Sequence, residues 1–165
     1  MVTLHGATVK AFGDSDEVPM KLSEKGRYAP PPELEPAAEH VSQTLASWPG
    51  VHARTHWLLG DEREVDGADF YYDEEELGHI HLESQAHVMH ARPVTEALIR
   101  AGLGRKFRWS QDVVVFDIRK PADAPHALWL FQLSYDRRRG AKNAELLARI
   151  AEYVEGGARR SAART

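Results

Sequence analysis

Four short extended segments follow one another between residues 51 and 89, and only brief charged turns separate them. Strands joined by such short turns pair antiparallel, because a parallel pair needs a long crossover connection. Helical patterns precede and follow this run of strands. The order of segments therefore predicts an α+β fold, with a mainly antiparallel sheet and helices packed on one face in a two-layer sandwich.

The spacing of the apolar residues sets the boundaries of these elements. Strands are predicted at 51–59, 68–72, 77–82, 86–89 and 113–118. Helices are predicted at 34–48, 93–101 and 122–136, and from Asn143 to an end at Gly156. They form one predicted domain, 34–155, between an N-terminal arm at 1–33 and a disordered basic tail at 156–165.

The composition excludes several classes of protein. None of the 165 residues is a cysteine, so disulfides, thiolate catalysis, zinc ribbons and iron–sulfur clusters are excluded. A net charge of -4 without a basic stripe disfavours nucleic-acid binding. No apolar run approaches the roughly 20 residues of a membrane span, and no signal peptide is visible. We therefore expect a cytoplasmic protein that binds neither nucleic acid nor membranes, and the oligomeric state stays open.

Histidine is the residue type that points to chemistry. The chain has 9 histidines, and four of them fall within twelve positions: His79, His81, His87 and His90. Residues two apart on a strand project from the same face, so His79 and His81 stand side by side. Such a pair can share a metal ion, relay a proton or orient an anionic oxygen.

The hairpin that follows decides whether His87 joins that pair. A two-residue turn at 83–84 sets residue 80 opposite His87, which then points to the other face. A three-residue loop at 83–85 sets His81 opposite His87, and His79, His81 and His87 then share a face that suits zinc, iron or copper. Histidine-rich strands mostly bind no metal and no carboxylate is clearly placed to complete a site, so we expect neither a metal nor another cofactor.

The same strand carries a family signature. Glu76-Leu77-Gly78-His79-Ile80-His81 resembles the Glu-x-Gly/Ala-His-x-His pattern of the luciferase-domain family, bacterial proteins related to the fungal luciferase. Trp48-Pro49-Gly50-Val51 precedes it, and His126-Ala127-Leu128-Trp129-Leu130 and Leu133-Ser134-Tyr135 follow it, at spacings compatible with family members. The resemblance covers about residues 45–136.

This resemblance implies a cofactor-independent oxygenase that adds dioxygen to an enolisable aromatic or pyrone-type compound. His79 or His81 would act as the base, with the other as its neighbour, and Arg105 or Lys106 would hold the developing oxyanion. Glu76 could orient a histidine, although strand parity predicts that it faces away from His79. His87, Trp57 and Tyr72 are the candidate substrate-binding residues.

One stretch departs from the family pattern. The fungal protein has Gly-Trp-Gly-x-Arg-His where this chain has Gly102-Leu103-Gly104-Arg105-Lys106-Phe107, so an aromatic residue and a histidine are missing. This departure keeps a second interpretation open, a non-catalytic ligand-binding or interaction module with the same fold.

Overall fold

Residues 21–58 and 61–164 are described by a computed structural model and contain six strands and four α-helices. The strands are β1 Val51–Leu58, β2 Asp61–Tyr72, β3 Glu75–His81, β4 Gln85–Met89, β5 Arg105–Lys106 and β6 Val113–Asp117. The helices are α1 Pro36–Ala46, α2 Arg92–Arg100, α3 Ala124–Arg138 and α4 Asn143–Ala162. All paired strands are antiparallel, in the order β1-β2-β3-β4-β6-β5, which confirms the predicted α+β class.

The ends of the chain differ most from the sequence-based boundaries. Helix α4 continues to Ala162, so the helix end predicted at Gly156 is wrong. Alanine and arginine, which favour helices, follow the two glycines, and Arg159 pairs with Glu155 one turn away. Residues 1–20 of the predicted arm lie outside the described residues. The rest of the arm follows the free edge of β1, where the Thr55 amide donates a hydrogen bond to the Ala29 carbonyl at 2.8 Å.

The apolar core lies between one face of the sheet and helices α1 and α3. Strand alternation directs every second residue of the central strands towards these helices. The buried core side chains include Val41, Leu45, Phe70, Ile80, Val88, Leu130 and Phe131. Within the described ranges, no helix combines the length and the hydrophobicity that a membrane crossing requires.

Strand β3 contains a β-bulge at Leu77. Gly78 pairs with Phe70 of β2 and Glu76 pairs with Tyr71, so Leu77 is an extra residue between them. Gly78 has φ 151°, and a Cβ there would lie 2.3 Å from the His87 carbonyl oxygen. Only glycine therefore fits at this point, and the bulge reverses the strand parity between Glu76 and His79.

Helix α3 holds this bulge in place. The Ser134 hydroxyl lies 3.0 Å from the Leu77 carbonyl oxygen and 2.7 Å from that of Met89. Arg138 donates a hydrogen bond from Nη2 to the Glu76 carbonyl oxygen at 2.8 Å. These contacts satisfy carbonyl groups at the bulge, whose ladder is interrupted there.

The β3–β4 hairpin has a register that neither predicted turn produces. His79 pairs with His87, and the connection is the three residues 82–84. Ser84 has φ 67° and donates its amide to the His81 carbonyl oxygen at 2.9 Å, which is the geometry of a three-residue loop ending in a left-handed residue. The side chains nevertheless project to the same faces of the sheet as in the predicted three-residue loop, so His79, His81 and His87 share one face.

A substitution at the bulge tests how strictly the fold requires it. Gly78→Ala should destabilise the protein by roughly 2–5 kcal/mol, because the new Cβ meets backbone and the alanine must adopt a left-handed conformation. Urea denaturation followed by circular dichroism measures the change.

The matched control for that experiment is Gly157→Ala in α4. Nothing lies within 4 Å of a Cβ at this position, and alanine in a helix is favoured over glycine by roughly 0.5–1 kcal/mol. The control variant should be slightly stabilised. Similar unfolding midpoints for the two variants would contradict the bulge as a strict requirement.

Candidate functional site

The sheet face opposite the helices carries four histidines on three strands, which we call the histidine cluster: His56 on β1, His79 and His81 on β3, and His87 on β4. His56 stacks on His79 with ring centroids 4.0 Å apart and planes 8° from parallel. The His81 ring stands nearly perpendicular to that of His79, at 4.9 Å. His87 lies 4.9 Å from His79 and 4.5 Å from His81 between ring centroids. The cluster therefore brings together all three histidines predicted for the site and adds His56.

Three of these histidines each have a carboxylate at Nδ1. The distances are 2.8 Å from His79 to Glu76, 2.7 Å from His56 to Asp69 and 3.0 Å from His81 to Asp66. A carboxylate that accepts the Nδ1 proton fixes the tautomer and leaves Nε2 as a lone pair. The prediction that Glu76 faces away from His79 is wrong, because the bulge turns the Glu76 side chain to the histidine face.

Two bulges bring the carboxylates of Asp66 and Glu76 to the cluster, and a salt bridge pairs the third carboxylate, that of Asp69. Asp66 is the extra residue of a second bulge, in β2, and is followed by Gly67, where a Cβ would clash with the Ile80 carbonyl. Asp69 is fully buried and pairs with Lys25 Nζ at 2.9 Å. Lys25 belongs to the part of the N-terminal arm that is described, so the arm supplies a cation to the site.

His87 is linked to the sheet edge through a chain of hydrogen bonds. Its Nε2 lies 2.9 Å from Gln85 Oε1, and its Nδ1 lies 3.2 Å from His79 Nε2. The Gln85 amide donates to Asp117 Oδ1 at 3.2 Å, which fixes the orientation of the amide. The ring of Phe107 covers His87, with the two ring centroids 4.6 Å apart.

Burial keeps the inner part of the cluster neutral. It lowers the pKa of His87 to about 3, with a further contribution from the neighbouring His79. Burial also lowers the pKa of His79 well below its usual value, and raises the pKa of Glu76. Both directions disfavour an ion pair between an ionised Glu76 and a protonated His79.

The other predicted site residues lie outside the cluster. The Trp57 indole donates to the Arg27 carbonyl at 3.0 Å, and Tyr72 packs on Tyr135 at the helix side of the sheet. Arg105 lies on the edge strand β5, where Nη2 donates to Asp117 Oδ1 at 2.7 Å. No local pattern in the sequence predicts His56, Asp66, Asp69 or Lys25, because only the strand register and the arm bring them to the predicted histidines.

A cavity of about 670 Å³ opens beside β5 and β6. Its walls include Leu103, Arg105, Asp117, Arg119 and His126, and the histidine cluster does not line it. Asp117 links the two regions, because its Oδ1 accepts hydrogen bonds from both Arg105 and Gln85.

His90, after β4, gives a test of the burial of histidine. Its side chain is buried beside Arg138. Burial, and to a smaller extent the positive charge of Arg138, lower the pKa of His90 to about 3. In the unfolded chain a histidine binds a proton near pH 6.5, so lowering the pH below that value favours unfolding. By pH 5 the loss of stability from His90 alone should be about 2 kcal/mol.

Urea denaturation of chelator-treated protein at pH 7 and pH 5 measures this loss. The variant His90→Leu should lose less stability over the same interval, by about 2 kcal/mol. Comparing the two pH values within each protein removes the effect of the substitution on packing. An identical pH dependence in both proteins would contradict a neutral, buried His90.

Comparison with known proteins agrees with the signature on β3. Residues 74–134 match the family model of the luciferase domain. No curated protein and no solved structure matches the chain significantly. The matched segment includes Glu76, His79, His81 and His87, and it ends within α3. From residue 74 to residue 134 this chain is therefore similar to the luciferase domain, as its sequence signature indicated.

Proposed function

We propose that the protein is a small-molecule oxygenase that adds dioxygen to an enolisable aromatic or pyrone-type compound. The observation that carries this proposal is the histidine cluster, in which the signature residues Glu76, His79 and His81 lie against a further His–Asp pair. A neutral histidine backed by a carboxylate is an effective base near neutral pH.

His56 is the best placed base of the four. Its Nδ1 lies 2.7 Å from the fully buried Asp69, which would stabilise the imidazolium that forms when Nε2 takes a proton. His79 is less suited, because Glu76 and His87 engage both of its ring nitrogens. The bases predicted from the sequence, His79 and His81, thus become the neighbours of the base in this proposal.

The reaction needs no organic cofactor. His56 removes the proton of the substrate enol, and the resulting electron-rich enolate transfers one electron to dioxygen. The two radicals combine to form a carbon–oxygen bond, and the peroxide anion takes the proton back from His56. The balance is one substrate and one dioxygen to one hydroperoxide.

Arg105 is the proposed anchor for the far end of the substrate. Arg105 and His87 both pair with Val115, from opposite sides of β6. Two strand spacings separate them, about 10 Å. A flat, elongated enol with a polar or anionic end could therefore reach from the cavity to the cluster.

A second function, ligand binding without turnover, is favoured by one observation. Phe107 stands where the fungal pattern has a histidine, and its ring covers His87 at 4.6 Å. An apolar ring there limits access to the cluster from that side. The cavity lined by Arg105 and Arg119 would then hold an anionic ligand away from the histidines.

Oxygen consumption with a hydroxylated pyrone tests the base. We expect oxygen uptake by the wild type, and a fall in kcat of about 100-fold or more in His56→Ala, because a general base contributes 10²–10⁴-fold. An oxygen electrode measures the rate, and the exposed His52→Ala on the same strand is the control. Equal rates in His56→Ala and the wild type would contradict the role of His56 as the base. Pyrone binding without oxygen uptake would favour ligand binding without turnover.

Arg105 should act on binding. Arg105→Ala should raise KM about 10-fold while kcat changes little, because a charge-assisted hydrogen bond contributes roughly 1.5–3 kcal/mol. Steady-state kinetics separate the two constants, with the exposed Arg92→Ala on α2 as the matched control. An unchanged KM would show that the substrate does not extend into the cavity.

A further inference from the structure

The hydrogen-bond partners of His79 and His87 determine which of their ring nitrogens carry a proton. The Gln85 amide donates its NH₂ to Asp117, so its oxygen faces His87 at 2.9 Å. An amide oxygen only accepts, and His87 Nε2 must therefore carry a proton. The other nitrogen of the neutral His87 ring, Nδ1, is then a lone pair.

His79 presents a second lone pair at the same point whenever Glu76 is ionised. The carboxylate accepts the proton of His79 Nδ1 at 2.8 Å, which leaves Nε2 unprotonated. His79 Nε2 and His87 Nδ1 lie 3.2 Å apart. Two lone pairs cannot face each other at this distance unless a proton or a metal cation lies near both.

Two features favour a metal cation. Ligands 2.0–2.1 Å from one ion are about 3–3.4 Å apart, which matches the 3.2 Å between the two nitrogens. The outer nitrogens of His79, His81 and His87 contact the side-chain oxygens of Glu76, Asp66 and Gln85. Such oxygen partners orient the histidine ligands of metal sites in many proteins.

We propose that the histidine cluster binds one divalent transition-metal ion through His79 Nε2, His87 Nδ1 and His81 Nε2. One ring nitrogen of His81 lies within 4.8 Å of one of His79, and the two rings are nearly perpendicular. Neutral imidazoles suit zinc, copper, iron and nickel. The proposal revises the sequence-based expectation of a metal-free protein.

His56 is not a ligand in this arrangement. One of its ring nitrogens also lies within 4.8 Å of those of His79 and His81. Its plane, however, is parallel to that of His79 at 4.0 Å, and an ion in the plane of one ring lies outside the plane of the other. His56 therefore stays free to act as the proposed base beside the ion.

The proposed reaction has no positive charge beside the enolate oxygen, and the ion would supply one. This role rests on the proposed oxygenase function, whereas the binding of the metal does not. The two can therefore be tested separately, the metal by its stoichiometry and the reaction by oxygen uptake.

The experiment uses the full chain without a histidine tag. Elemental analysis should find about one transition-metal ion per chain. After removal of the metal with a chelator, Co²⁺ titration should give a visible absorption band that saturates at one equivalent. Zn²⁺ at a hundredfold excess over its Kd should raise the thermal midpoint by roughly 5–10 °C.

The variants define the ligands. His79→Ala, His81→Ala and His87→Ala should each weaken Co²⁺ binding at least 10-fold, whereas His56→Ala and His52→Ala should bind it as the wild type does. His87→Gln, which keeps a polar side chain, provides a second test should His87→Ala fold poorly by circular dichroism. Co²⁺ binding that survives both His87 substitutions would overturn the ligand set.

Three outcomes separate this proposal from the oxygenase. Wild-type protein that binds neither Co²⁺ nor Zn²⁺ would leave only the shared proton between His79 and His87, and the metal proposal would fail. Chelator-treated protein that consumes oxygen at the full rate would end the catalytic role of the ion and leave the oxygenase intact. Bound metal without any oxygen uptake would support the site and count against the oxygenase.

Discussion

The histidine cluster depends on the contacts that α3 makes with the bulged part of β3. Ser134 and Arg138 bind backbone carbonyls at Leu77, Met89 and Glu76, where the regular ladder is interrupted. An extra residue in a strand normally bends it and leaves backbone groups unpaired. Here the helix satisfies those groups, and the same bulge turns Glu76 towards His79. The buried helix side of the sheet thus determines the chemistry of its opposite face.

The two bulges share one design. In each, an acidic residue enters the histidine face next to a glycine whose Cβ would strike the neighbouring strand, with Asp66 beside Gly67 and Glu76 near Gly78. Regular alternation cannot place a carboxylate beside a histidine three positions away on one strand. The bulges remove this restriction, so one sheet face can hold four imidazoles with their hydrogen-bond partners, and two of them, His79 and His87, are buried. Buried polar groups are tolerated only when they are paired in this way.

The sequence predicted the fold class and three of the cluster histidines, because short turns and strand alternation are local signals. The prediction was wrong where one extra residue changes the face of the sheet to which the neighbouring side chains point. Leu77 is a buried apolar residue like its strand neighbour Ile80, and only the adjacent glycine hinted at a bulge. Ser84 takes a left-handed conformation that glycine usually marks, so the register of the hairpin had no sequence signal. His56 and Asp69 belong to other strands, and no local pattern places them beside His79.

The salt bridge between Lys25 and Asp69 shows that the site is larger than its recognisable sequence. The segment similar to the luciferase domain begins at residue 74, yet His56, Asp66, Asp69 and Lys25 all precede it. A grouping of proteins by the matched segment alone leaves Lys25, His56, Asp66 and Asp69, about half of the groups around His79, uncompared. A useful alignment of such proteins would therefore start at the arm, and a lysine–aspartate pair before the signature would distinguish those with the complete set of charges.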